Sequence, residues 1–114
     1  MGDEGLTTIA SNYSVAETID RLAEAATSAG LRVFARVDHG AGAKEVDMPL
    51  RPTQLLIFGH PRGGTPLMQA RQTVGIDLPL KGLAWEDDAG QAWLTYNDAG
   101  WLARAFAMSP SPAS

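Results

Sequence analysis

The sequence contains four consecutive apolar residues, Leu55 to Phe58, between Pro52 and Gly59. Successive side chains of a β-strand point to opposite faces of the sheet. A strand with this run therefore places apolar side chains on both faces, which is typical of an inner strand that is covered on both sides. The chain is predicted to fold into a sheet with its own helices on one face and a further cover on the other.

The segment Ser14–Ala29 is predicted to be the main covering helix. Ser14 is a favourable N-cap residue, and Glu17 three positions later completes a capping box. Apolar residues recur at helical spacing and form one stripe: Val15, Ile19, Leu22, Ala23 and Ala26. Gly30 follows the last turn, where a residue in the left-handed conformation commonly ends a helix.

Further strands and helices are predicted around these two elements. The other strands are Leu6–Ser11, Leu31–Asp38, Leu80–Glu86 and Ala92–Tyr96, and the turn Asp87–Gly90 joins the last two. A second helix is predicted with Thr65 as N-cap and Pro66 at its first position, and a third begins at Asp98. The order β-α-β-β-α-β-β-α predicts an α+β fold with a five-stranded, mainly antiparallel sheet and helices on one face.

The strand Leu31–Asp38 alternates in polarity. Four of its side chains are expected to face the first helix: Leu31, Val33, Ala35 and Val37. The others are expected on the opposite face: Arg32, Phe34, Arg36 and Asp38. The following segment, His39 to Leu50, is predicted to be a glycine-bearing connection with at most one helical turn near Ala43–Val46.

The sheet face without helices has no predicted cover within the chain. Phe34, part of the Leu55–Phe58 run and one of Trp85 and Trp93 should lie there. The two tryptophans are on facing strands, so packing across the hairpin is their simplest role. Because a large apolar face is rarely left in water, it should contact a second subunit or a ligand, and we expect a homodimer.

Length, charge and composition exclude several classes of protein. The 114 residues predict a single domain over 6–108, between a flexible N-terminus (1–5) and a disordered tail of Ser, Pro and Ala (109–114). A net charge of -4 argues against binding to nucleic acid, and the absence of cysteine excludes disulfides and thiolate chemistry. Without a secretory signal or an apolar run of about 18 residues, we expect a cytoplasmic protein and no membrane interaction.

Asp38 and His39 are the candidate catalytic residues, because they end a strand and enter a glycine-bearing loop. A carboxylate can orient an imidazole and raise its basicity. Adjacent strand residues point to opposite faces, however, so the alternative is that Asp38 pairs with a nearby arginine while His39 binds loop backbone. A Ser/His/Asp hydrolase is not indicated, since no Gly-x-Ser-x-Gly motif is present.

The segment His60–Pro66 joins a strand to a helix and contains two glycines and Arg62. Free backbone N–H groups at a helix start can bind an anion, although a tight loop with a good N-cap is the alternative interpretation. No metal site is predicted. His39 and His60 are the only histidines, and with Asp38 they would be the ligands of any bound metal or haem iron.

Several segments resemble one bacterial family, domain-of-unknown-function family 302 (DUF302). They are Ala35–His39, Arg51–Gly59, Gly64–Met68, Asp77–Lys81, Trp85–Asp87 and Tyr96–Asp98, within residues 6 to 107. The resemblance implies a TATA-binding-protein-like architecture, with a curved antiparallel sheet and helices on one side, and no known activity. His60 replaces a common Asn and Gly63 a common Ala, and Arg71–Val74 lacks an expected Pro. These departures make His60 a weaker ligand candidate than residues in matching segments.

The sequence thus predicts a small cytoplasmic, homodimeric module that binds a small ligand of anionic character near Asp38 and His39. Arg51, Lys81 and the helix start at Thr65 would hold negative charge. Solvated strand-edge charges are the alternative for the basic residues. An enzyme that uses His39 as general acid or base is the second hypothesis, and a dimer with no ligand is the third. The cofactor, if any, is not specified.

Overall fold

The computed structural model describes residues 5–97 of the chain. Its elements, in chain order, are β1 (Leu6–Ser11), α1 (Val15–Ser28), β2 (Arg32–Asp38), α2 (His39–Glu45), β3 (Thr53–Gly59), α3 (Pro61–Ala70), a 3₁₀ helix (Gln72–Asp77), β4 (Leu80–Glu86) and β5 (Ala92–Asn97). The α+β class and the order of the strands are confirmed. The predicted helix from Asp98 and both predicted terminal segments lie outside the described residues, apart from Gly5.

The five strands form one antiparallel sheet in the order β1-β5-β4-β3-β2. β3, which contains the Leu55–Phe58 run, is an inner strand as predicted, and β1 and β2 are the two edges. The turn from Asp87 to Gly90 joins β4 to β5, and Gly90 adopts a φ of 84° that favours glycine. TATA-binding-protein-like architecture stays a prediction.

Helix α1 covers one face of the sheet. The backbone N–H of Glu17 donates to Ser14 Oγ (3.1 Å), and Gly30 ends the helix with a φ of 83°, as the sequence predicts. The main core lies between α1 and the sheet and contains Val15, Ile19, Leu56, Ala84 and Ala92. Paired residues of antiparallel strands share a face, so the register with Leu56 shows which strand residues face α1.

The predicted orientation of β2 is wrong for all four residues from Ala35 to Asp38. Arg36 pairs with the buried Leu56 and faces α1, where its Nη1 donates to Asp20 Oδ1 at 2.6 Å. Val37 pairs with Leu55 on the opposite face. The cause is a β-bulge between Val33 and Ala35, which inserts one residue and reverses the alternation along the rest of the strand.

Two helix boundaries also differ from the predictions. His39–Glu45 is a helix, α2, whose start is capped by the Asp38 carboxylate accepting from the Ala41 N–H at 2.9 Å. Helix α3 begins at Pro61 with His60 as its N-cap, so Thr65 and Pro66 lie inside it. The His60 ring is the cap and Pro61 occupies the first helical position, so the helix starts about one turn earlier than the Thr65–Pro66 pair indicates.

Helix α3 and the 3₁₀ helix form an insertion between two neighbouring strands. The chain leaves β3 after Gly59 and re-enters the sheet at Leu80, which pairs with Phe58. Met68 of α3 lies close to Gly75 of the 3₁₀ helix, where an added Cβ would be 3.1 Å from its sulfur. The insertion therefore packs largely on itself, beyond the end of the sheet. None of the helices within residues 5–97 has the length and apolar character needed to cross a bilayer.

Candidate functional site

A cavity of about 910 Å³ lies between this insertion and the ends of β3 and β4. Its walls come from three places: the residues after α1, the sheet end, and the inner side of α3 with the 3₁₀ helix. They comprise Ala29, Gly30, Leu31, Phe34, Gly59 to Thr65, Leu67, Met68, Gly75 and Leu78 to Leu80. The volume falls within the range of about 300–1,000 Å³ that is typical of small-molecule sites.

The walls are mostly apolar side chains and glycines. The exceptions are His60, which is the N-cap of α3, and Arg62 and Thr65, which lie in the first half of that helix. The glycines allow close packing here, since an added Cβ at Gly64 would lie 3.4 Å from Leu78 Cδ1. The site thus combines an apolar interior with one polar region that contains a cation, which suits a ligand with an apolar body and an acidic group.

His60 caps α3 through its ring. Its Nδ1 accepts the backbone N–H of Arg62 at 3.0 Å, so this nitrogen carries no proton and Nε2–H is the remaining donor. The N–H groups of Gly63 and Gly64 donate to the His60 carbonyl, and Pro61 has no N–H. The first donors of α3 are therefore all occupied. The structure supports the capped-helix interpretation of this segment and not an anion site made of free backbone N–H groups.

The predicted site residues are divided between the two ends of the sheet. Asp38 pairs with Gln54 at the start of β3, whereas His60 follows its end. Six residues of strand separate these positions by about 20 Å. Asp38 binds the start of α2, and His39 is exposed beside it, so the carboxylate is used as a helix cap.

The remaining candidates follow the same division. Arg51 lies at the Asp38 end, where its Nε donates to the Glu86 carbonyl at 3.0 Å. Lys81 lies near the cavity but does not line it, and its Nζ donates to the Asp77 carbonyl at 3.4 Å. Thr65 is the one member of this set in the cavity wall.

The two histidines are held apart by the antiparallel pairing of β2 and β3. His39 follows the end of β2 and His60 follows the end of β3, which are opposite ends of the sheet. The structure therefore does not bring them together as a pair of metal ligands. Across residues 5–97, no group of three His, Asp or Glu side chains is arranged to hold a metal ion.

A carboxylate in the β4–β5 turn, that of Asp87, accepts several hydrogen bonds. The Trp93 indole N–H donates to Asp87 Oδ2 (2.9 Å), and the backbone N–H groups of Gln91 and Ala89 donate to Oδ1. These donors lower the pKa of Asp87 below its ordinary value. The carboxylate organises the turn. Trp93 stacks on Trp85 with ring centroids 6.2 Å apart, which confirms packing across the hairpin.

Sequence reasoning missed most of the cavity wall. The sequence gives Leu67 no role in a site and predicts Phe34 on the helix-free face. Both line the cavity instead, because the insertion projects beyond the sheet end. The available signal was the group of glycines in 59–75, which permits close packing between short elements without indicating what they enclose.

Comparisons with known proteins identify a matching family, a solved structure with a similar fold, and longer proteins that contain a related region. The profile of the family "Domain of unknown function DUF302" matches residues 7–113. The crystal structure of an uncharacterized conserved DUF302 protein from Bacillus stearothermophilus is similar, with a TM-score of 0.78 and 19% identity, over 90% of this chain and 80% of that one.

Two curated relatives are named as fluoride-specific ion channels. "Fluoride-specific ion channel FluC 1" of Brucella suis and "Fluoride-specific ion channel FluC 2" of Brucella melitensis are each 56% identical over 109 residues, which is 96% of this chain. The match covers 43% and 40% of those proteins. The chain thus spans about two fifths of their length.

Proposed function

Since the chain belongs to the DUF302 family, whose name states no activity, we propose from its own geometry that it is a homodimeric, cytoplasmic domain that binds a small ligand. The observation that carries the proposal is the cavity between the insertion and the sheet end. A ligand there would have an apolar body and one acidic group. This site differs from the one expected from the sequence, which was centred on Asp38 and His39.

The apolar body is favoured by the cavity walls. Around one space, β2, α3 and β4 and the connection before β4 offer five apolar side chains: Phe34, Leu67, Met68, Leu78 and Leu80. Transfer of apolar surface from water to such a space contributes about 25 cal/mol per Å². A molecule of roughly ten carbon atoms would be large enough to use most of these contacts.

The acidic group is favoured by the polar residues at the start of α3. Arg62 forms no ion pair with the other described residues, whose ion pairs are Arg21–Glu17 and Arg36–Asp20. His60 has its Nε2–H as an additional donor, and Thr65 has a hydroxyl. A carboxylate accepts hydrogen bonds from all three kinds of group, and guanidinium binds it in a two-point geometry.

Decanoate and decanol provide a direct test by titration calorimetry, because they share a ten-carbon chain and differ in charge. Arg62→Gln should weaken decanoate binding by about 10-fold or more, since a hydrogen bond to a charged group contributes about 1.5–3 kcal/mol. Decanol binding should change little. Arg51→Gln is the matched control, because it removes the same charge at the other end of the sheet. Equal losses in the two variants, or no decanoate binding to the wild type, would refute the proposal.

A second candidate function comes from the relatives. The Brucella proteins named as fluoride-specific ion channels contain a region 56% identical to nearly all of this chain within a longer protein. We propose that this domain acts beside such a channel and contributes the ligand-binding part of the assembly. Deletion of the gene should then lower the fluoride concentration that the source cells tolerate, and the wild-type chain should restore it. Unchanged tolerance would exclude this role.

An enzyme based on His39 is the alternative with the least geometric support. His39 is exposed at the first position of α2, and the cavity lies at the other end of the sheet. Its neighbour Asp38 already accepts the Ala41 N–H. The arrangement favours a structural role for this pair.

A further inference from the structure

Phe34 is the residue that the β-bulge inserts into β2. Val33 pairs with Phe58 of β3, and the next paired residue of β2 is Ala35. Phe34 lies between them with no partner across the strand pair, and its side chain lines the cavity. Bulges are common beside functional sites, where they redirect a side chain out of the regular alternation of a strand. Here the bulge adds an aromatic ring to the cavity wall.

We propose that the ligand of the cavity is an aromatic acid and that Phe34 determines this specificity by contact with the ring of the ligand. The inference rests on the proposed function, because it names the chemical class of the apolar body in the same cavity. Contact between two aromatic rings is favourable when they are offset or meet edge to face. Arg62 would bind the carboxylate of the same molecule.

Phe34 has more free surface than the other large apolar residues of the wall. It is 51% exposed, whereas the others are only partly exposed: Leu31, Leu67, Met68, Leu78 and Leu80. A ligand in the cavity therefore removes more apolar surface from water at this residue than the partly exposed residues can offer. Since the gain in free energy follows the apolar area that is buried, Phe34 is the main apolar contact for a ligand.

The Phe34 ring is supported by the end of β3. An added Cβ at Gly59 would lie 3.9 Å from Phe34 Cε2 and 3.4 Å from Pro79 Cβ. The ring thus approaches the β3 backbone closely, because residue 59 has no side chain. A ring that is held by the protein before the ligand arrives loses less conformational freedom on binding.

Packing within the chain gives the Phe34 ring no aromatic role. Within residues 5–97, the two stacked rings are those of Trp85 and Trp93, and the ring covered by a guanidinium is that of Tyr13. Phe34 has neither kind of partner in this part of the chain, and the core beneath α1 does not include it. An aromatic ligand would supply the missing partner.

Glycine makes up much of the remaining wall. Five glycines line the cavity: Gly30, Gly59, Gly63, Gly64 and Gly75. Glycine allows a ligand to approach the flat peptide groups of the backbone. A rigid planar ring can use such a surface without losing internal freedom, whereas a flexible alkyl chain must be ordered in order to do so. The wall therefore favours a planar ligand over an alkyl chain of similar carbon content.

Titration calorimetry with 2-naphthoate and decanoate tests the inference, because both are carboxylates of similar carbon content and only the first is aromatic. Phe34→Leu should weaken 2-naphthoate binding by about 3- to 10-fold, the value of one aromatic contact. Decanoate affinity should stay nearly unchanged, because leucine still offers apolar surface to a flexible chain. Phe34→Tyr keeps the ring and should bind 2-naphthoate as the wild type does.

Tyr13→Leu is the matched control. It also removes an exposed ring, since Tyr13 is 43% exposed, but it does so before the start of α1, and the cavity lies beyond the end of that helix. The affinity of this variant for 2-naphthoate should equal that of the wild type. Circular dichroism establishes that each variant folds, and Phe34→Met replaces Phe34→Leu if the latter does not.

The two ligands separate failure of the inference from failure of the proposed function. Selective loss of 2-naphthoate affinity in Phe34→Leu, with wild-type affinity in Phe34→Tyr and Tyr13→Leu, supports the inference. Equal losses for both ligands in Phe34→Leu overturn it. Wild-type protein that binds decanoate and not 2-naphthoate also overturns it, while the proposed function stands. Binding of neither ligand refutes both.

Discussion

The contact between α1 and β4 makes substitution of Gly82 a sharp test of the core. Gly82 is buried beneath α1. An added Cβ would lie 2.6 Å from Leu22 Cδ2, and it would lie 3.6 Å from Leu94 Cδ1. Ordinary contact between carbon atoms is about 3.5–4.0 Å. Leu22 would therefore have to move by about 1 Å or leave its preferred rotamer.

The expected cost of Gly82→Ala follows from two opposing effects. Forcing one extra carbon into a packed core destabilises a protein by about 1–3 kcal/mol. Removing a glycine from the unfolded chain recovers about 0.4–1 kcal/mol, because Gly82 has no positive φ that alanine would resist. The middle values of these two ranges leave a net loss in the free energy of unfolding of about 1.3 kcal/mol. This corresponds to a fall in Tm of roughly 5–10 °C for a domain of this size.

Urea denaturation followed by circular dichroism measures this loss. Gly42→Ala is the matched control, because its Cβ meets nothing within 4 Å and its position in α2 favours alanine. It should be neutral or stabilising by up to about 1 kcal/mol. Leu22→Ala in the Gly82→Ala background should cost clearly less than in the wild type, since the clash is then relieved. Equal stability of Gly82→Ala and wild type would show that α1 does not press on β4 at this position.

Two further variants test other parts of the description. His39→Ala should leave decanoate affinity unchanged in calorimetry, because His39 lies at the sheet end away from the cavity, and a large loss would return the site to the Asp38 end. Asp87→Asn should lower the free energy of unfolding at pH 7 in urea titrations. Both carboxylate oxygens of Asp87 accept hydrogen bonds, from the Trp93 indole and from backbone N–H groups, and asparagine has only one accepting oxygen. The pKa of Asp87 is lowered in the folded state, so its stabilisation is present above the unfolded value near 3.8 and is lost as the pH falls below it. The stability of wild type and Asp87→Asn should converge in that acid range, and a constant difference would contradict the assigned role.

The parts of the fold that local signals specify were predictable. Helix α1 carries its cap, its apolar stripe and its terminal glycine within one segment, and each of these signals depends only on near neighbours. The β4–β5 hairpin is similar, since a short turn with Gly90 joins two strands of matched length. In both cases the geometry that decides the structure spans only a few residues.

The orientation of β2 was not predictable from alternation. The polar–apolar pattern is regular from Leu31 to Asp38, but a bulge at Phe34 shifts the phase of the strand. Whether a bulge forms depends on the partner strand and on the helix that packs against the edge strand. Here the Arg36 side chain donates hydrogen bonds to Asp20 and to the Ala16 carbonyl of α1. These partners are distant from β2 in sequence, so the polarity pattern of β2 alone cannot predict the bulge.

The candidate site was misjudged for a related reason. Asp38 and His39 lie where one strand ends and His60 follows another strand, and the sequence offers these three as the ligands of any bound metal. In an antiparallel pair, however, one strand ends where its partner begins, so the carboxyl ends of the two strands lie at opposite ends of the sheet. The residues that do meet are mostly apolar ones from α3, from the connection before β4 and from the nearby strand ends, because the insertion leaves the sheet at Gly59 and returns at Leu80.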